Sequence, residues 1–173
     1  MPNHVYQHLT ARGPKAELER LLALVVTKDT QFDISRFFPM PTALRGTRSP
    51  ATVVPDDQLA AALEKHKADQ ASYGGMETGR PISATESADL IARHGTNNWY
   101  DWANANWGTK WGVYDVDNEW CIHDGERATI MFQSAWSPAN LIIYRLSSLF
   151  PTLVFTLDAA DEGGNFVCTY TIC

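Results

Sequence analysis

Four of the six tryptophans, Trp99, Trp102, Trp107 and Trp111, fall within thirteen residues. They are interleaved with asparagines in the run Asn97-Asn98-Trp99-Tyr100-Asp101-Trp102-Ala103-Asn104-Ala105-Asn106-Trp107-Gly108-Thr109-Lys110-Trp111. Tryptophan is the largest apolar side chain, and its ring N–H needs an acceptor when buried. Such a concentration is therefore either a core wedge or a recognition surface. Trp99, Trp102 and Ala103 are spaced for one helical face, and Gly108 is placed to end that helix. In the wedge reading the rings fasten a helical insertion onto a sheet, with the asparagines capping backbone groups. In the surface reading Trp102, Asn106, Trp107, Thr109, Lys110 and Trp111 form a partner-binding clamp, with the Lys110 ammonium over an aromatic face.

A chain of 173 residues is long enough for one buried core, and a single domain over 1–173 is expected, with a helical and loop insertion at about 35–111. Fourteen basic against twenty acidic residues leave a formal charge of -6, which argues against a surface built to neutralise many nucleic-acid phosphates. No apolar run approaches the roughly 20 residues that span a bilayer, and Met1-Pro2-Asn3-His4 lacks the regions of a signal peptide. A cytoplasmic protein without membrane contact is expected. Cys121, Cys168 and Cys173 lack metal-ligand spacing and read as free thiols.

Periodicity supplies an element order. Residues 4–10 read as a strand, and Leu18, Leu21, Leu22 and Val25 mark an amphipathic helix. A proline-punctuated loop runs from Phe37 to Pro50. Asp56 and Asp57 open a helix carrying Leu59 and Leu63, and a glycine-bearing connector spans Tyr73 to Pro81. Ser83 with Glu86 makes a capping box for a helix that ends at Gly95. Strands are then expected over Gly112–Ile122 and Ala128–Trp136, joined by a turn at Asp124-Gly125, with Ile130, Phe132, Ser134 and Trp136 on one side. Ser137 should cap a helix starting at Pro138, followed by a strand over Leu153–Leu157. This order predicts an α+β fold: a ferredoxin-like split β-α-β-β-α-β antiparallel sheet with a helical insertion after the first helix.

Several segments carry a family resemblance: Met1-Pro2-Asn3, Phe38-Pro39-Met40-Pro41, Gly46-Thr47-Arg48-Ser49-Pro50, Asn106-Trp107-Gly108-Thr109-Lys110-Trp111 and Ser134-Ala135-Trp136-Ser137-Pro138. In these the chain resembles the YubB-type ferredoxin-like domain family of phage and plasmid proteins. The resemblance spans nearly the whole chain, and Asn-Trp-Gly-Thr-Lys-Trp is its most specific element. It implies a ferredoxin-like topology without an iron–sulfur cluster and a gene carried on phages, prophages or plasmids, but no settled activity. Gly112, where an Asp often follows the final Trp, and His4 depart from the pattern.

Chemistry-bearing patterns are sparse. His4 and His8 flank Tyr6 on one strand face, about 13 Å apart, too far to chelate one ion together. Asp115, Asp117 and Glu119 alternate as on a water-facing strand, and Asp158, Asp161 and Glu162 surround a glycine turn. No nucleophile elbow, Walker loop or dinucleotide fingerprint is present. No catalytic residues, metal site or cofactor is assigned.

The expected function is that of a non-enzymatic accessory protein of a mobile element, binding a protein partner through Arg45, Thr47, Arg48 and the Trp-cluster residues named above, in the manner of a counter-defence inhibitor. The alternative is a nucleic-acid-binding module using Tyr6 on the sheet face or the Arg45/Arg48 loop. A third reading is a divalent-metal-dependent hydrolase using the acidic groups.

Overall fold

The computed structural model describes residues 3–72, 79–123 and 125–173. Met1, Pro2, Asp124 of the expected hairpin turn and most of the connector read over 73–81 lie outside the described residues. In chain order the elements begin with β1 (His4–Arg12), α1 (Lys15–Val25), β2 (Val53–Val54) and α2 (Leu59–Ser72). They continue with β3 (Ile82–Ser83), α3 (Ala84–His94), α4 (Trp99–Trp107) and β4 (Cys121–His123). The C-terminal part comprises β5 (Arg127–Ala135), α5 (Asn140–Leu149), β6 (Val154–Asp161) and β7 (Val167–Ile172). These elements fall into two compact units, Met1–Pro39 with Asn106–Cys173, and Met40–Ala105.

The first unit is built on a five-stranded sheet in the order β4-β5-β1-β6-β7, with antiparallel pairing throughout. Alternation along β1 decides its two faces: Val5, Gln7, Leu9 and Ala11 are buried, while Tyr6 and Arg12 are exposed. Leu18, Leu21 and Val25 of α1 and Ile142, Ile143 and Leu146 of α5 join Leu9, Ile130, Phe132, Phe155 and Leu157 in one core cluster. The helices thus cover one face, and burying each such side chain is worth about 1.5–3 kcal/mol. The other face is open. Across it the register sets Thr129, Thr10, Thr156 and Thr171 side by side in one row. The next row holds Met131, His8, Asp158 and Thr169, and the one after holds Gln133, Tyr6, Ala160 and Val167.

The second unit contains the parallel pair β2–β3 and the helices α2 and α3. Ser83 accepts from the Glu86 N–H (3.0 Å), as a capping box requires, and Gly95 closes α3 in the left-handed region (φ 77°). The Glu86 carboxylate does not return to the cap; it pairs with Arg80. Asn98 plays the cap for α4: its Oδ1 accepts from Asp101 N–H (2.9 Å) and its Nδ2 donates to Asp101 Oδ2 (2.7 Å).

Three local expectations are corrected. The strand read over Gly112–Ile122 is reduced to an isolated bridge, Tyr114 with Gln133, and the short β4. Gly112 (φ 71°) and Asp115 (φ 46°) both leave the extended region, so the acidic residues do not alternate along a strand; Asp117 instead accepts from the Met131 N–H (3.1 Å). Ser137 does not cap α5: its hydroxyl donates to the Gly108 carbonyl, and α5 starts at Asn140 after Ala139. Trp136 (φ 73°) turns away from the side of Ile130 and Phe132 and is 54% exposed.

Candidate functional site

The two most distinctive sequence segments, Asn106–Trp111 and Ser134–Pro138, interlock. Thr109 is fully buried; its hydroxyl donates to the Ala135 carbonyl (2.8 Å) and accepts from the Ala135 N–H (3.2 Å). From the other side Ser137 donates to the Gly108 carbonyl. The buried Gln7 side chain extends the network, giving to Ser134 Oγ (2.6 Å) and accepting from Ala139 N–H (2.9 Å). Gly108 fits because its φ is 76° and a Cβ there would meet Asn140 and Leu141. Trp107 anchors the clasp: its ring packs on the core and its Nε1 donates to the Phe38 carbonyl (3.0 Å).

The clasp leaves two rings outside. Trp111 is 44% exposed and Trp136 54%. Lys110 Nζ stands 4.6 Å from the Trp111 ring centroid, a cation–π distance. Trp111 meets Tyr114 edge-on (centroids 6.3 Å apart), and the Tyr114 hydroxyl hydrogen-bonds His4 Nδ1 at 2.9 Å. Tyr6, 49% exposed, stands beside Gln133, the residue that bridges to Tyr114. From there Tyr6, His8, Met131, Asp158, Val167 and Thr169 line a shallow cavity of about 380 Å³ on the open sheet face. The result is an aromatic and apolar strip on this unit.

Its rim is acidic. Burial and then the charges of Asp115 and Glu162 push the Tyr114 phenol up. Asp158 accepts from Thr169 Oγ1 (2.6 Å) and stands 3.9 Å from His8 Nδ1. Asp161 is held at about 2 by hydrogen bonds from the Asn3 side chain first, then from Asn165. Among the described residues no three His, Cys, Asp or Glu side chains converge to hold a metal ion. Cys121, Cys168 and Cys173 are free thiols.

The remaining predicted site residues differ in burial and surroundings. Arg45 and Arg48 are both exposed, but buried Thr47 between them is spent on structure, donating to the Leu44 carbonyl (2.8 Å) and accepting from the Trp99 N–H (3.0 Å). Arg45 lines a cavity of about 490 Å³ with Met40, His66, Arg80 and Trp99. Arg48 lines another, of about 290 Å³, with Val54, Lys65 and Asp69. His66 lines both cavities. Trp102 is buried, and Asn106 is half-buried. Sequence reasoning missed Trp136, which it placed with the strand interior, and Tyr114, which it did not single out.

These features define a mixed α+β protein with an antiparallel sheet, whose signature residues hold a clasp. Residues 107–172 match the family model described as the ferredoxin-like domain in Api92-like protein. The fold is similar to the crystal structure of the protein api92 from Yersinia pseudotuberculosis, with a TM-score of 0.54 at 8% identity, covering 99% of this chain and 94% of that one. No curated protein matches the chain. At that identity the likeness concerns the fold.

Proposed function

We propose that this is a non-enzymatic binding protein that docks a protein partner through Trp111, Trp136, Tyr114 and Tyr6, in the accessory role that YubB-type proteins of phages, prophages and plasmids suggest. The observation that carries the reading is the pair of exposed tryptophans delivered by a buried clasp. Exposed Trp and Tyr rings held by a rigid support lose little entropy on docking and are enriched among the residues that dominate interface energy. The acidic rim of Asp115, Asp158 and Glu162 repels phosphates and favours a partner with a basic border around an apolar pocket.

Affinity capture from bacterial lysate, with and without nuclease, tests this. A specific protein retained after nuclease and lost in the Trp111→Ala/Trp136→Ala variant is the expected result. Capture that disappears with nuclease overturns it in favour of nucleic-acid binding, and an Arg45→Ala/Arg48→Ala variant then separates the second unit from the sheet face.

A further inference from the structure

At the opposite end of the open sheet face the register places Arg12 directly beside Arg127, and Arg127 directly beside His123. Facing side chains of an antiparallel pair have Cβ atoms about 4.5–5.5 Å apart, and like charges there are destabilising. Neither guanidinium has a carboxylate within ion-pair distance among the described residues, whereas Arg20, Arg80 and Arg93 each do. Lys15 opens α1 nearby, and its one ion pair among the described residues is a 3.9 Å contact with Glu19 between two largely exposed side chains, which is worth little. Arg12, Lys15, His123 and Arg127 line one open cavity of about 830 Å³, whose wall also carries Gly13 and, as the one acid among the described residues, Glu126. In a chain of net charge -6, two arginines in register with no ion-paired carboxylate among the described residues are an arrangement that an oxyanion would complete.

We infer that this cavity binds the phosphate group of a small phosphorylated molecule, with Arg12 and Arg127 as the clamp. Two guanidinium groups side by side present paired N–H donors that match phosphate oxygens bidentately, and Lys15 adds a third positive charge. A cavity of this size suits a mononucleotide as well as inorganic phosphate. The site is separate from the aromatic strip, and its test is independent of any protein partner.

Calorimetric titration of the full chain with inorganic phosphate and with adenosine monophosphate, paired with melting curves, tests the assignment. The expected result is saturable binding that weakens with added sodium chloride, raises the melting temperature, and falls roughly tenfold or more in Arg12→Gln and in Arg127→Gln. Without phosphate, each glutamine variant should melt no lower than the parent, because it removes a like-charge opposition rather than a stabilising contact. Tighter binding of the nucleotide than of phosphate assigns the nucleoside to the cavity; equal binding assigns the phosphate alone. The inference is overturned if neither ligand saturates the parent chain at millimolar concentration, or if the Arg12→Gln/Arg127→Gln chain binds as well. It is also overturned if an oligonucleotide without a terminal phosphate binds these residues more tightly than the monophosphate.

Discussion

Within the two interlocked segments, residues two positions apart have opposite fates. Thr109 is sealed inside, with its hydroxyl satisfied twice by Ala135, while Trp111 is 44% exposed. Ser137 holds the Gly108 carbonyl, while its neighbour Trp136 faces solvent. Small polar side chains share the fastening with Trp107, while the large rings of Trp111 and Trp136 are displayed, which hydrophobicity alone would not assign. A buried hydroxyl that completes two backbone groups is costly to remove, whereas an exposed ring contributes little to folding and much to recognition.

Substitutions should break this contrast in a graded order. Trp107→Ala removes a ring packed on the core together with its bond to Phe38 and should cost about 3 kcal/mol in chemical denaturation. A loss below about 0.5 kcal/mol would place that ring with the displayed set. Thr109→Val keeps the shape and leaves the Ala135 N–H and carbonyl unpaired, a loss of about 2 kcal/mol measurable by urea unfolding. Trp111→Ala and Trp136→Ala should each shift stability by no more than about 0.5 kcal/mol while abolishing partner capture. If either destabilises as much as Thr109→Val, the displayed rings are structural after all.

The smallest expected effect is on pH dependence. Asp161 sits at about 2 because Asn3 and then Asn165 hydrogen-bond its charged form. A depressed carboxyl contributes stability above the ordinary aspartate value of about 3.9, and that contribution fades as pH falls toward 2. Urea midpoints recorded from pH 5 to 2 should therefore decline less steeply in Asp161→Asn. An unchanged slope would mean that these bonds do not hold the carboxylate in solution.

Local pattern carried much of the fold. The first strand, read over 4–10 and found over His4–Arg12, the Leu18–Val25 helix stripe and the Ser83/Glu86 cap were all legible, because each rests on neighbours a few residues apart. The misreadings share a different cause. Ser137 looks like a helix cap until Gly108, 29 residues away, claims its hydroxyl. Gly112–Ile122 has a strand-like composition, but Gly112 and Asp115 take positive φ values that no alternation rule detects. Thr47, read with Arg45 and Arg48 as part of one binding loop, is buried because Leu44 and Trp99 claim its hydroxyl, and Trp99 lies 52 residues away. The meeting of Arg12 with Arg127 depends wholly on strand register, which the sequence does not print.

The row Thr129, Thr10, Thr156 and Thr171 lies between the arginine end of the open face and the aromatic end. From Arg12 to Tyr6 is six strand residues, about 20 Å. That separation is more than twice the screening length of about 8 Å at physiological ionic strength. Ionic screening over that distance leaves little direct electrostatic coupling, so the coupling free energy between the two ends should be close to zero. Occupancy at one end would leave affinity at the other untouched, and the sheet would behave as two independent receptors on one rigid body.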